Sequence, residues 1–258
     1  MTHDSLATQL EFAVEVAWRA GRVTLAHFQT GVAAEAKADL SPVTVADRAS
    51  EALCRELIQA RYPNDSILGE EMGESRADAR RRWIIDPIDG TRSFVHGVPL
   101  YSVLVALEEA GEPVLGVIHL PALNETVWAA RGEGCWWDGR RALVSQVDRL
   151  EDATVLTSEG RFPDEVTFSG WRRLAARAAN ARTWGDGYGY ALVATGRAEA
   201  MLDPVMSLWD LAPMKPIIEE AGGVYTDWHD GPGFPAASSI ATNAALARQV
   251  RQLVAGEA

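Results

Sequence analysis

The chain has 258 residues, 47% of them hydrophobic and 23% charged, as in ordinary globular proteins, but 24 Lys and Arg against 36 Asp and Glu leave a formal net charge of −12. A phosphate backbone is held by cationic side chains that displace counterions, so this balance argues against nucleic acid as a partner. Two cysteines, Cys54 and Cys135, are too few for a disulfide framework and point to a reducing compartment, the cytoplasm. No basic head followed by an apolar run marks a secretory leader, and no stretch approaches the roughly 18 apolar residues of a membrane span.

In chain order, Leu6, Leu10, Ala13, Val14, Ala17, Trp18, Gly21, Leu25 and Phe28 recur at threes and fours, predicting an amphipathic helix capped by Asp4 or Ser5. A second helix follows in SPVTVADRASEALCRELIQARYP, with Leu53, Leu57 and Ile58 on one face, Asp47 near its start and Pro63 as its stop. Apolar runs at 66–70, 83–86, 101–108, 113–120 and 126–130 then read as strands of an antiparallel meander. Between the first two of these, the Arg-rich stretch from Gly73 to Arg82 reads as a solvated loop.

Beyond Leu150 strands and helices alternate. A strand is expected near ATVLTS, helices over Thr167–Ala179 and YGYALVATG, a strand at AEAML, and a helix through WDLAPMKPIIEEAGG. Pro213 and Pro216 predict a kink in this last helix that leaves the aim of Asp210 open. Two short strands, VYTD and SIAT, and a helix from Asn243 finish the chain. The change of pattern divides it into halves of residues 1–150 and 151–258.

His3, His27, His96, His119 and His229 are isolated, so no zinc spacing exists, and the chain has neither a Gly-Lys-Ser/Thr phosphate loop nor a G-x-S-x-G elbow. Carboxylates carry the remaining chemistry. Glu70 and Glu71 close one strand, and Asp86 and Asp89 flank the turn Asp-Pro-Ile-Asp-Gly-Thr at the end of another. Magnesium takes a few carboxylates plus water and phosphate oxygens, a set that acids at strand ends facing a cleft can supply. Proline fixes the turn, Ile88 can offer a carbonyl, and Gly90 lets amides approach an anion.

LGEE at 68–71, WIIDPIDGTRSFVHGVP at 83–99 and WDLAPMKPIIEEAGG at 209–223 resemble the signature segments of the inositol monophosphatase superfamily, and the likeness runs from SPVTVAD to SIATN. YGYALVATGRAEAMLDP and GEGCWWDGR look most like its histidinol-phosphatase branch. The resemblance implies an α/β fold, an α/β/α/β/α sandwich of the inositol monophosphatase and fructose-1,6-bisphosphatase type, a homodimer, and magnesium-dependent hydrolysis of a phosphate monoester. L-Histidinol phosphate is the first-choice substrate, with myo-inositol monophosphate or another polyol phosphate as the alternative.

Carried over by position, Glu70, Asp86 and the Ile88 carbonyl would hold one Mg2+, and Asp86, Asp89 and Asp210 a second. A third would be shared by Glu70 through water. Thr91 would orient the attacking water and Asp47 would accept the threonine's hydrogen bond. The amides of Gly90 and Thr91 would meet the phosphate, and Asp186 and Asp203 would bind the rest of the substrate. Each of Asp47, Asp210 and Asp186 also suits a helix cap, and Glu71 a solvated neighbour of Glu70. A non-catalytic protein that binds a cation or phosphometabolite is the competing class; the Thr91 hydroxyl, which binding alone does not need, argues against it.

Overall fold

The computed structural model describes residues 4–37, 42–76, 79–158, 160 and 162–256; His3, Ser41 and residues 77–78 of the Arg-rich stretch lie outside them. The elements run α1 (Leu6–Leu25), β1 (Glu35–Ala36), β2 (Pro42–Val43), α2 (Val45–Arg61), β3 (Ser66–Gly69), β4 (Gly73–Glu74), β5 (Arg81–Asp89) and α3 (Thr91–Val95). Then come β6 (Ser102–Glu109), β7 (Glu112–Leu120), β8 (Glu125–Ala130), β9 (Gly134–Trp137), β10 (Arg140–Arg141), β11 (Thr154–Leu156), α4 (Glu165–Ala175) and β12 (Asn180–Arg182). The chain closes with α5 (Asp186–Ala194), β13 (Ala200–Asp203), α6 (Leu208–Glu220), β14 (Val224–Thr226), β15 (Ser239–Thr242) and α7 (Ala247–Ala255).

Ser5 caps α1 by accepting from the Thr8 amide, and the helix buries Leu10, Ala13, Val16, Ala17 and Ala20. It stops at Leu25, before Phe28. That ring instead packs against Phe94 and Tyr101, which with Ala46 enclose the side chain of Ile88. Helix α2 buries a face that hydrophobicity does not pick out: Ala46, Asp47, Ser50, Glu51, Cys54 and Ile58 are inside, while Leu53 and Leu57 are only half-buried. A polar stripe on a buried helix face demands partners, and these lie in the loops described below.

The larger sheet has the order β10-β9-β8-β7-β6-β5-β3-β4. From β5 to β10 it is the expected antiparallel meander, but β3 and β5 are parallel, with Gly69 opposite Ile85. The reason is the connection. After β3 the chain first makes the β4 hairpin and then crosses back, so β5 runs alongside β3 in the same direction. Both strands therefore end at the same edge, which brings Glu70 beside Asp86. The last two residues of the Arg-rich stretch belong to β5, where Arg81 pairs with Asp65 and Arg82 with Glu108.

Strands β5, β6 and β7 are buried on both faces. Trp83, Ile85, Val103 and Val105 pack toward α1 and α2, and Ile84, Leu104, Ala106 and Ile118 toward α5 and α6. A Cβ on Gly116 would fall on the Pro213 carbonyl, so glycine in β7 is what allows α6 to lie so close. Helix α6 runs unbroken through Pro213 and Pro216. Each proline deletes one amide donor, but a buried helix owes most of its stability to packing. Asp210 lies upstream of both prolines and is aimed by its own capping box, so the expected kink does not govern it.

The smaller sheet, β12-β11-β13-β15-β14, packs α5 and α6 on one face and α4 and α7 on the other. Helix α4 ends at Ala175 rather than Ala179, and the following residues form β12. Asn243 precedes α7 by a turn, accepting from the Leu246 amide and donating to Ser145 and Val147. The layers are thus helix, sheet, helix, sheet, helix. Among the described residues no helix is long and apolar enough to cross a membrane.

Candidate active site

Three carboxylates meet where β5, its following turn and α6 converge. One oxygen from each of Asp86, Asp89 and Asp210 lies within 4.8 Å of the others. Local bonds set each aim. Asp86 Oδ1 accepts from the Ile88 amide at 3.0 Å, Asp89 Oδ2 from Ser102 Oγ and the Gly187 amide at 2.6 Å each, and Asp210 Oδ2 from the Ser207 amide at 2.8 Å. The ladder between β5 and β6 slips between Asp86 and Asp89, which frees Pro87 and Ile88 to bulge out and point both acids toward one place.

Burial, then the charges of Glu70, Asp89 and Asp210, push the Asp86 carboxyl far above its ordinary range. Asp89 rises to about 6, with burial dominant and its bonds from Ser102 and Gly187 opposing. Asp210 rises to about 8, through burial and the charge of Asp89. Among the described residues no basic side chain pairs with any of the three. Packed acids with raised proton affinity and only oxygen donors are the chemistry that a hard divalent cation satisfies. The Ile88 carbonyl accepts from Thr91 Oγ1 at 2.9 Å and keeps a second lone pair.

Glu70 borders this group: its amide donates to the Ile85 carbonyl at 3.3 Å, and its charge helps to raise the Asp86 carboxyl. Sequence reading missed its partner. Lys37 Nζ donates to Glu70 Oε1 at 2.7 Å and Glu71 Oε1 at 2.6 Å. Burial alone would favour the neutral amine, but the two carboxylates outweigh it and raise the lysine's proton affinity. Glu71 is no solvated neighbour, since its side chain is 6% exposed. The only local hint was a lone lysine in a short polar stretch after α1.

Asp47 is fully buried and serves two ends. Its Oδ2 accepts from the Thr44 amide at 2.8 Å and Thr44 Oγ1 at 2.6 Å, closing the capping box of α2, while Oδ1 faces Thr91 Oγ1 at 3.4 Å. The cap and the threonine contact coexist because the carboxylate has two oxygens.

Gly90, at φ +79°, begins the short helix α3. A Cβ there would come 2.7 Å from Asp186 Oδ2 and would adopt a backbone region costly for L residues. Beside it opens a cleft of about 790 Å3 lined by Thr91, Arg92, Ser93, Ser158, Thr183 and Asp186. Asp186, half-buried at φ +54°, is held by its amide, which donates to Ser158 Oγ at 2.7 Å.

Asp203 does not reach the cleft. It is 3% exposed and accepts from the Ser158 amide and Oγ, at 2.9 and 3.1 Å, and from the Tyr190 hydroxyl at 2.9 Å. It braces Ser158, which in turn fixes Asp186. Ser102, Ser158 and Gly187 escaped sequence reading because their partners are distant in the chain. Among the described residues no histidine joins the three acids; His119 is buried against Thr126, and burial lowers it to about 4.

Residues 5–257 match the inositol monophosphatase family. A histidinol-phosphatase of Chlorobaculum parvum is 43% identical over 91% of this chain and 93% of its own. One from Mycobacterium tuberculosis is 38% identical over 97% of each, and a fructose-1,6-bisphosphatase/inositol-1-monophosphatase of Thermotoga maritima 35% over 85% of each. Among solved structures, the extragenic suppressor protein suhB of Bartonella henselae superposes with a TM-score of 0.91 at 30% identity, covering 96% of this chain and 98% of that one. The chain belongs to the inositol monophosphatase family, and it is a phosphatase.

Proposed function

We propose that the protein is a magnesium-dependent phosphomonoesterase that hydrolyses L-histidinol phosphate to L-histidinol and phosphate. The observation that carries the reading is the trio Asp86, Asp89 and Asp210 next to a cleft that Gly90, Thr91 and Asp186 line. With Glu70 and the Ile88 carbonyl, the trio would hold Mg2+, which when bound polarises phosphate oxygens and makes a bound water more acidic.

The remaining work falls to the chain's own groups. Thr91 has one hydroxyl proton, which goes to the Ile88 carbonyl at 2.9 Å or to Asp47 at 3.4 Å, and either way its oxygen lone pairs remain to orient a water in the cleft toward phosphorus. The amides of Gly90 and Thr91, at the start of α3, donate to the phosphate oxygens that gain charge as the water's oxygen bonds to phosphorus and the ester P–O bond breaks. The leaving alcohol oxygen takes up a proton. Asp186 gives the substrate's ammonium group a charge-assisted partner, which a polyol phosphate does not need. The identity to histidinol-phosphatases supports the same choice. The family resemblance supports a homodimer, and the two cysteines support a reducing compartment, the cytoplasm.

The test is phosphate release from L-histidinol phosphate, myo-inositol 1-phosphate, fructose 1,6-bisphosphate and glycerol phosphate at saturating Mg2+. The reading expects the first to have the highest kcat/KM. A preference for inositol phosphate would overturn the substrate and leave the phosphatase standing.

A further inference from the structure

The buried polar stripe of α2 braces the site loops one after another. Asp47 faces Thr91, Ser50 Oγ lies 3.5 Å from the Pro87 carbonyl, and Glu51, one turn beyond Asp47, reaches the loop that carries Glu70. Glu51 is fully buried, yet the cation trio does not use it. Its Oε2 accepts from the Glu71 amide at 2.8 Å and its Oε1 from the Met72 amide at 3.1 Å, the two peptide donors that directly follow Glu70.

The approach is close enough that a Cβ on Gly69 would fall on the Glu51 carboxylate. Arg55, one further turn along α2, donates from Nε to Glu51 Oε1 at 2.7 Å and from Nη2 to the Gly73 carbonyl. The pair thereby grips residues 71–73 by backbone alone, next to Glu70, whose carboxylate accepts from Lys37 and whose charge helps to raise Asp86.

The geometry points to Glu51 as a positioning residue for the cation site: it fixes the backbone after Glu70 so that this carboxylate stays in register with Asp86. The inference rests on the proposal that Glu70 is a metal ligand. A tether needed only for folding would stabilise the chain without affecting cation affinity; a positioning group affects that affinity directly, because outer partners that orient a ligand are worth about 10- to 100-fold in binding.

The experiment titrates the metal-free full chain with Mn2+, an oxygen-seeking stand-in for Mg2+, and reads free Mn2+ by electron paramagnetic resonance. Wild type, Glu51→Gln and Glu70→Gln are compared, with hydrogen exchange at the Glu71 and Met72 amides. The expected result is that Glu51→Gln deprotects both amides, weakens the Glu70-dependent binding about tenfold or more, and keeps KM for L-histidinol phosphate at saturating Mg2+ within about twofold of wild type. Deprotected amides with unchanged Mn2+ affinity would overturn the inference.

Unchanged affinity in Glu70→Gln would instead overturn the ligand assignment beneath it. Should Glu51→Gln fail to fold, Arg55→Met, which frees the Gly73 carbonyl but leaves Glu51 on both amides, carries the same comparison. Its expected loss is smaller, below the roughly tenfold of a removed outer partner because both amide bonds remain, and no loss would count against the inference.

Discussion

Asp86, Asp89 and Asp210 lie side by side with no basic partner among the described residues, whereas Glu70 and Glu71, a few residues away across the parallel β3–β5 pair, share Lys37. Two unit charges 4 Å apart repel by about 4 kcal/mol at an effective dielectric of 20. The aspartates meet that cost by taking up protons, and the glutamates by recruiting a lysine. The floor of the site is therefore built to need a cation, while its rim already carries one of its own. Loss of a floor ligand should silence the enzyme, and loss of a rim ligand should only change how much metal it requires.

That contrast is broken most sharply by paired substitutions. Asp86→Asn should reduce turnover of L-histidinol phosphate by about 10³-fold or more at any Mg2+ concentration, since several kcal/mol of charge stabilisation depend on it. Glu70→Gln should raise the Mg2+ concentration for half-maximal rate by about 10- to 100-fold while much of the maximal rate returns. Equal and unrecoverable losses in both would erase the distinction between floor and rim.

The cleft wall sharpens the account further. Asp186→Ala should weaken kcat/KM for L-histidinol phosphate by about tenfold, the worth of one charge-assisted hydrogen bond, and spare glycerol phosphate. Equal losses on the two esters would make Asp186 a structural cap at the start of α5.

The smallest effect is on stability. In the metal-free protein Asp210 holds its proton to about 8 and Asp89 to about 6, against ordinary values of 3.8. Between 3.8 and these values the folded state binds more protons than the unfolded one, so these groups lower stability as pH rises through that window. The Tm advantage of Asp210→Asn over wild type in chelator should therefore grow from pH 4 to pH 8 and level off above it. An advantage that shrinks over this range would mean that the acids are not forced together as described.

Much of this was legible in the chain itself, for identifiable reasons. Apolar period placed α1 and the strands β5 to β8, and the turn after Asp86 announced itself by residue type. Strand direction was not legible, because alternation and β-branched content do not say which way a strand runs; only the β4 crossover makes β3 and β5 parallel. Helix α2 misled for a related reason. Hydrophobicity selected Leu53, Leu57 and Ile58, of which only Ile58 is fully buried, because the rest of the buried face is chosen by the loops that Asp47, Ser50 and Glu51 hold. Lys37, Ser102 and Ser158 act across separations in the chain that no local pattern spans, and so do the bonds of Asp203 to Ser158 and Tyr190.

The most direct measurement is phosphate release from L-histidinol phosphate by metal-stripped protein as Mg2+ is returned, with wild type and Asp86→Asn run side by side. The account predicts no release in chelator, a rise with Mg2+ for wild type, and background throughout for Asp86→Asn. Turnover in chelator, or a near-normal rate in Asp86→Asn, would contradict it.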